Sequence, residues 1–197
     1  MTKIIPIFKN RAGYAFLKEL KKQGIHTDTI RRLLHDGTIE KVKSGLYKLK
    51  DMPTLANQGM IDVCMAMPKA VVCLHSALSY HDLTTALPAK IMVALPRDGK
   101  PVKLSYPPIQ IFYFSPSNYQ MGIERVATNT GIFVIYNVEK TIVDCFRYRH
   151  KLGMEVALEG LRNYLKSSDY NLNKLLKYAR ASRMFNIMKP YIEAVIQ

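Results

Sequence analysis

A chain of 197 residues has room for one or two domains, and its 48% hydrophobic content is enough to bury a core. With 29 Lys and Arg against 15 Asp and Glu its formal net charge is +14, which points to an anionic partner, nucleic acid or an acidic protein surface. No apolar run approaches the ~20 residues of a membrane span, and Cys64, Cys73 and Cys145 lie in apolar runs without metal-ligand spacing, as expected of reduced thiols in a cytoplasmic protein.

The opening apolar patch, Ile4-Ile5-Pro6-Ile7-Phe8, is too short for a signal segment and is followed at once by Lys9 and Arg11. Residues 16–23 have helical periodicity, Gly24-Ile25 reads as a tight turn, and a second helical pattern covers residues 27–36. After Gly37 comes a basic hairpin, residues 39–50, with Ser44-Gly45 at its tip. Helix, glycine turn, helix and basic hairpin is the order of a winged helix-turn-helix, whose second helix enters the major groove of DNA. Residues 1–50 hold 12 Lys and Arg against 4 Asp and Glu, so +8 of the chain's +14 lies in about a quarter of its length.

In the second helix Ile30, Leu33 and Leu34 form one apolar stripe, and Thr27 is placed to act as its N-cap. At 100° per residue the opposite side carries Asp28, Arg31, Arg32 and His35. Arg31 and Arg32 suit bidentate contacts with guanine, while Thr27 and Thr29 suit phosphate. A solvated charged face is the plainer explanation of such a stripe. The hairpin tips the balance toward DNA, because Lys41, Lys43, Lys48 and Lys50 flank inward-facing Ile39, Val42, Leu46 and Leu49 as phosphate clamps would. The same lysines would also protect an edge strand from aggregation.

Residues 51–54 read as a linker, which predicts two domains, 1–52 for DNA binding and 55–197 for a second function. In the second, residues 55–67 are helical in period and residues 70–74 form a strand, followed by a short helix over 75–81. Strands are predicted over 90–95, 109–114, 123–128 and 132–136, the last two joined by the hairpin turn Asn129-Thr130-Gly131. From Asn137, an N-cap, the pattern is wholly helical: 138–150, 154–166, a helix opened by Asn171 or Asn173, and 186–196. The whole is an α+β chain, a winged helix-turn-helix followed by a mixed sheet with a helical tail.

Two segments carry a family resemblance: CLHSALSYHDLTTALPAKIMVALPRD at 73–98 and IYNVEKTIVDCFRYRHKLGMEVALEGLRNYL at 135–165. The joint order of Ser76-Ala77-Leu78, Leu95-Pro96-Arg97, Glu139-Lys140-Thr141, Asp144 and Arg147-Tyr148-Arg149 resembles the AbiEi antitoxins of bacterial abortive-infection systems, across residues 13 to about 192. The resemblance implies a winged-helix repressor of its own operon, bound to an inverted repeat in double-stranded DNA. It also implies a second domain that counteracts a nucleotidyltransferase-like toxin, directly or indirectly, as a type IV antitoxin. A stand-alone regulator whose second domain senses a ligand or a protein is the alternative.

Read from the residues alone, Lys140, Asp144, Arg147 and Lys151 recur at helical spacing and could be a surface ion ladder. Against that, the local excess of Lys140, Arg147, Arg149, His150 and Lys151 is one that a single aspartate cannot neutralise. It suits an acidic toxin surface or DNA held by a second contact, with Lys140, Arg147, Arg149 and Lys151 as the expected toxin-facing residues. His75 and His81 read as capping or core histidines. Asp98-Gly99-Lys100 has the spacing of a metal nuclease but lies in a turn and lacks an acidic partner strand. No catalytic motif, metal site or cofactor is expected.

Overall fold

The computed structural model describes residues 4–51 and 57–196; the expected linker residues Met52, Pro53 and Thr54 lie outside them. The chain divides into two compact units. One runs to Pro68 and takes in Pro101–Pro108 and Val126–Phe133; the other comprises Lys69–Lys100, Ile109–Arg125 and the chain from Val134.

The first unit begins with α1 (Ile5–Lys9), β1 (Tyr14–Phe16), α2 (Leu17–Lys22) and α3 (Thr27–His35), followed by β2 (Ile39–Lys43) and β3 (Leu46–Leu49). The strands form one antiparallel sheet in the order β1-β3-β2. Gly24 between α2 and α3 has φ +75, a left-handed conformation that ends α2 at little steric cost, and Ile25 N–H closes the turn onto Leu20 O at 2.9 Å. Gly45 (φ +76) turns the hairpin tip in the same way, and its carbonyl accepts from Leu17 N–H at 2.9 Å, tying the wing to the start of α2. Phe8, Ala15, Leu20, Ile30, Leu33 and Ile39 meet in a small core. This is a winged helix-turn-helix, with α1 and β1 as additions to the expected elements.

The helix α4 (Gln58–Ala66) belongs to this unit as well. That corrects the boundary expected at residues 52–55, and the reason is electrostatic. Asp62 on α4 is only 2% exposed, and its carboxylate accepts a hydrogen bond from the Tyr14 hydroxyl on β1 and one from Lys48 Nζ on β3 at 2.7 Å. A buried carboxylate needs such donors, so α4 is held against the wing rather than starting a separate domain. A fragment starting near Leu55 would carry Asp62 without them.

The second unit is built on the sheet β6-β5-β4-β8-β7, from β4 (Val71–Val72), β5 (Ile91–Pro96), β6 (Ile109–Phe114), β7 (Ile123–Thr128) and β8 (Gly131–Tyr136). β5 runs parallel to β6 and antiparallel to β4, which is parallel to β8, so the sheet is mixed. The far part of the β7–β8 hairpin, Val126–Phe133, clusters with the first unit. Short helices α5 (Leu74–Tyr80) and α6 (Pro116–Gln120) lie among the strands. The tail comprises α7 (Val138–Arg147), α8 (Arg149–Leu152), α9 (Met154–Lys166), α10 (Leu172–Ala181) and α11 (Phe185–Ile196). Asn137 caps α7 by accepting from Lys140 N–H at 3.1 Å, and Asn171 caps α10 by accepting from Lys174 N–H at 2.9 Å. The helix expected over 138–150 breaks at Tyr148. Packing among α5, α9 and α10 buries α7 from Glu139 to Phe146. Cys64, Cys73 and Cys145 are buried thiols; burial pushes Cys73 and Cys145 well above the ordinary thiol range, which makes them poor nucleophiles. Among the described residues no helix is long and apolar enough to cross a membrane.

Replacing Asp62 by Ala is expected to loosen the first unit by about 1–3 kcal/mol, because Tyr14 and Lys48 lose a buried acceptor. Amide hydrogen exchange in β1 and β3 measures it, and exchange unchanged from the parent would show that α4 is not anchored through this residue.

Candidate nucleic-acid interface

The geometry of α3 follows from its apolar spacing. Ile30 and Leu33 are buried and Leu34 is half-buried, so the helix is fixed by one side and turns the other outward. Thr27, Asp28, Arg31, Arg32 and His35 are exposed and Thr29 is half-buried. Thr27 does not cap the helix as expected: His26 occupies the N-cap position without a side-chain hydrogen bond, and Thr27 is the first helical residue. Its hydroxyl is therefore not engaged in a cap. Arg31 pairs with Asp28 at 3.0 Å, but both side chains are largely exposed, and an ion pair of this kind is weak and screened by salt. Beyond the helix, Asp36 accepts from the Thr38 hydroxyl and backbone N–H, which hold its carboxyl below the ordinary range.

The wing lysines divide into two groups. Pairing between β2 and β3 shifts between Lys41 and Lys43, a bulge that breaks the alternation of sides. Lys41 is exposed. Lys43 instead donates to Ala66 O on α4 at 2.7 Å. Lys48 lies between Asp62 (2.7 Å) and Glu40 (2.9 Å), with its side chain only 17% exposed. Burial pulls the Lys48 ammonium down, and hydrogen bonds from it to Asp62 and Glu40 outweigh that, raising it above its ordinary value. The Tyr14 hydroxyl is raised by burial and then by its bond to Asp62, so it remains a neutral donor. Lys43 and Lys48 thus serve the α4 contact, which corrects their expected role as phosphate clamps. Arg31, Arg32, Lys41 and Lys50 are the outward cations of α3 and the wing, with His35 exposed beside them.

Two further cations escape a reading of α3 and the wing alone. Lys18 and Lys21 on α2, with Phe16, Leu17 and Gly45, line a surface depression of about 330 Å³ at the wing tip. Both are exposed, one turn apart. The sequence signal was their i, i+3 spacing, and the Leu17–Gly45 bond, continuing the pairing of β1 with β3, brings them beside the hairpin.

The expected toxin-facing surface does not exist as a set. Lys140 is 0% exposed: its ammonium donates to Asp144, also 0% exposed, and lies 4.7 Å from the Tyr136 ring centroid and 4.9 Å from that of Phe114. Arg147 is half-buried and donates to Ser182 O, and Arg149 donates to Phe146 O at 2.9 Å. Lys151 alone of the four is exposed, close to the Phe112 and Tyr148 rings. The reason is that α7 is covered on every side, so its polar residues are paired in the interior rather than displayed. Burial raises the Asp144 carboxyl to about 6 against the opposing pull of Lys140, and burial lowers the Lys140 ammonium against the pull of Asp144. Asp144 Oδ1 and Arg147 Nε have no hydrogen-bond partner among the described residues. His81 Nε2 is 2.8 Å from Tyr136 O, a core contact, and Asp98 is exposed, 4.0 Å from Lys69.

The fold recurs in a solved structure. The crystal structure of the RV2827C protein from Mycobacterium tuberculosis matches 92% of this chain and 74% of its own with a TM-score of 0.62, at 13% sequence identity. At that identity the likeness is one of fold. No protein-family model and no curated protein matches the chain.

The buried pair yields two expected outcomes. Asp144→Ala leaves the Lys140 ammonium uncompensated and should cost about 3–5 kcal/mol, whereas the double change Lys140→Met with Asp144→Leu should recover most of that loss. Urea unfolding of the three chains decides it, and a double change no more stable than the single one would show that the charges themselves hold the core. The second outcome concerns pH. Because Asp144 holds its proton more tightly folded than unfolded, its contribution is greatest below about pH 4 and declines as pH rises to about 6. Stability of the parent relative to Asp144→Asn should fall across that window; a flat difference would mean that Asp144 titrates normally.

Proposed function

We propose that this chain is a DNA-binding repressor of the AbiEi antitoxin kind, acting in the cytoplasm. Its first unit holds operator DNA, and its second counteracts a nucleotidyltransferase-like toxin. The observation that carries the DNA reading is the outward face of α3. Arg31, Arg32 and His35 project from a helix anchored by Ile30 and Leu33, with Asp28 as the only carboxylate on that helix. A helix so held presents guanidinium groups in the geometry that reads guanine edges in the major groove. Lys41 on the wing and Lys18 and Lys21 beside its tip supply phosphate contacts on either side. The antitoxin half of the proposal is supported by the resemblance of residues 73–98 and 135–165. Its toxin contact does not run through Lys140, which is enclosed.

Binding is measured by fluorescence anisotropy on the promoter and on random duplexes. Arg32→Ala should lose about 1–3 kcal/mol on the promoter and discriminate less among sequences. Lys41→Ala should weaken all duplexes alike and reduce the salt slope by about 1. Lys43→Ala should leave the salt slope nearly unchanged, since its ammonium is held at Ala66. A parent chain that shows no preference for the promoter at moderate salt would refute the operator reading. Rescue of toxin-expressing cells by the Arg32→Ala chain would place counteraction outside the DNA-reading face, and loss of rescue with the fold intact would make repression itself the protective act.

A further inference from the structure

The last two helices leave an apolar groove that the proposed function does not use. It measures about 410 Å³ and lies between α10 and α11. Its floor is formed by two ridges at i, i+4 spacing, Leu172 and Leu176 on one helix and Ile192 and Ile196 on the other, with Phe185 between them. The outer ends of these helices were free to be polar. Instead Ile196 is 52% exposed, and Leu172, Leu176 and Phe185 are only half-buried. Arg180 and Lys189 stand at the rim, both exposed; Lys189 is in an exposed ion pair with Glu193 at 3.7 Å, of the weak, salt-screened kind, and Arg180 is the rim cation outside that pair. Arg180 also covers the Phe185 ring, 4.6 Å from its centroid. From residue 172 to 196 the chain has five Lys and Arg against one Glu.

We propose that this groove docks an amphipathic helix of a partner protein, one with an aliphatic stripe flanked by Asp or Glu. The two ridges accept side chains at i, i+3, i+4 and i+7 of an incoming helix, the usual mode of helix-in-groove recognition. Arg180 at the rim and the basic excess of the two helices around it select acidic flanks and accelerate encounter. A second copy of this chain is a poor occupant, because each copy carries +14 and would bring basic groups to a basic rim. The proposal stands on the groove alone, so it holds or fails apart from the antitoxin reading; within that reading, the toxin would own the helix.

Two synthetic helical peptides serve as probes, with identical leucine stripes and either glutamate or lysine flanks. Against the full-length chain the acidic peptide should bind at least tenfold more tightly, and added salt should narrow the gap. Ile196→Asp, a change at an exposed position, should abolish binding while circular dichroism stays unchanged. The double change Arg180→Glu with Lys189→Glu should reverse the preference between peptides. Equal binding of the two peptides, or binding that survives Ile196→Asp, would overturn the proposal. So would concentration-dependent dimerisation that Ile196→Asp removes, which would make a second copy the occupant. Partition onto anionic vesicles in place of peptide binding would overturn it as well, in favour of a lipid surface.

Discussion

Asp62 is the constraint on which the winged-helix unit of the molecule depends. A carboxylate almost wholly removed from water must be met by donors, and the nearest are Tyr14 on β1 and Lys48 on β3. Satisfying it fixes α4 on the wing and draws Lys48 between two carboxylates. Lys43 follows to the C-terminal end of the same helix. The winged helix is therefore not a free-standing module with a uniformly basic surface. Charge is withdrawn from one side of the hairpin and left on the other, with Lys41 and the outer face of α3.

The same logic operates inside the second unit on a different helix. α7 is surrounded by α5, α9 and α10, and the sheet contributes Phe114 and Tyr136. Lys140 has no route to solvent, so its charge is met by Asp144 and by two aromatic faces. Arg147 reaches the backbone of Ser182 at the end of α10, which ties the tail to the central helix. Glu139 accepts from the Tyr164 hydroxyl on α9 at 3.1 Å and from Lys174 on α10 at 2.8 Å, a second polar link across the same helices. These links use cations that composition alone would assign to the surface. Among the cations that remain outside on these last helices, Lys151 and Arg180 each lie beside an aromatic ring.

Legibility in the sequence varied with the range of the interactions involved. The turn at Gly24, the apolar stripe of α3 and the caps Asn137 and Asn171 depend on residues within a turn or two, and they lie where spacing predicts, except that the N-cap of α3 is His26 rather than Thr27. β1 escaped because three residues are too few to show alternation. α1 was read as an apolar patch and not as a helix, because five residues are too few to show helical periodicity, although Pro6 in its first turn is compatible with a helix start. The roles of Lys43 and Lys48 were misread because their partners, Ala66 and Asp62, are 23 and 14 residues away.

By itself the sequence determined the class of fold, the helix–turn–helix with its wing, and the cationic outer face of α3. Each of these rests on periodicity, glycine conformation and local charge, which act between near neighbours. The tertiary structure alone decided which charges are available to a partner. That outcome depends on burial, and burial depends on what packs against a helix from elsewhere in the chain. α7 and α3 both carry basic residues on an amphipathic helix; α7 is enclosed and α3 is covered on one side only, so basic residues end in a core ion pair on the one and on an open cationic face on the other.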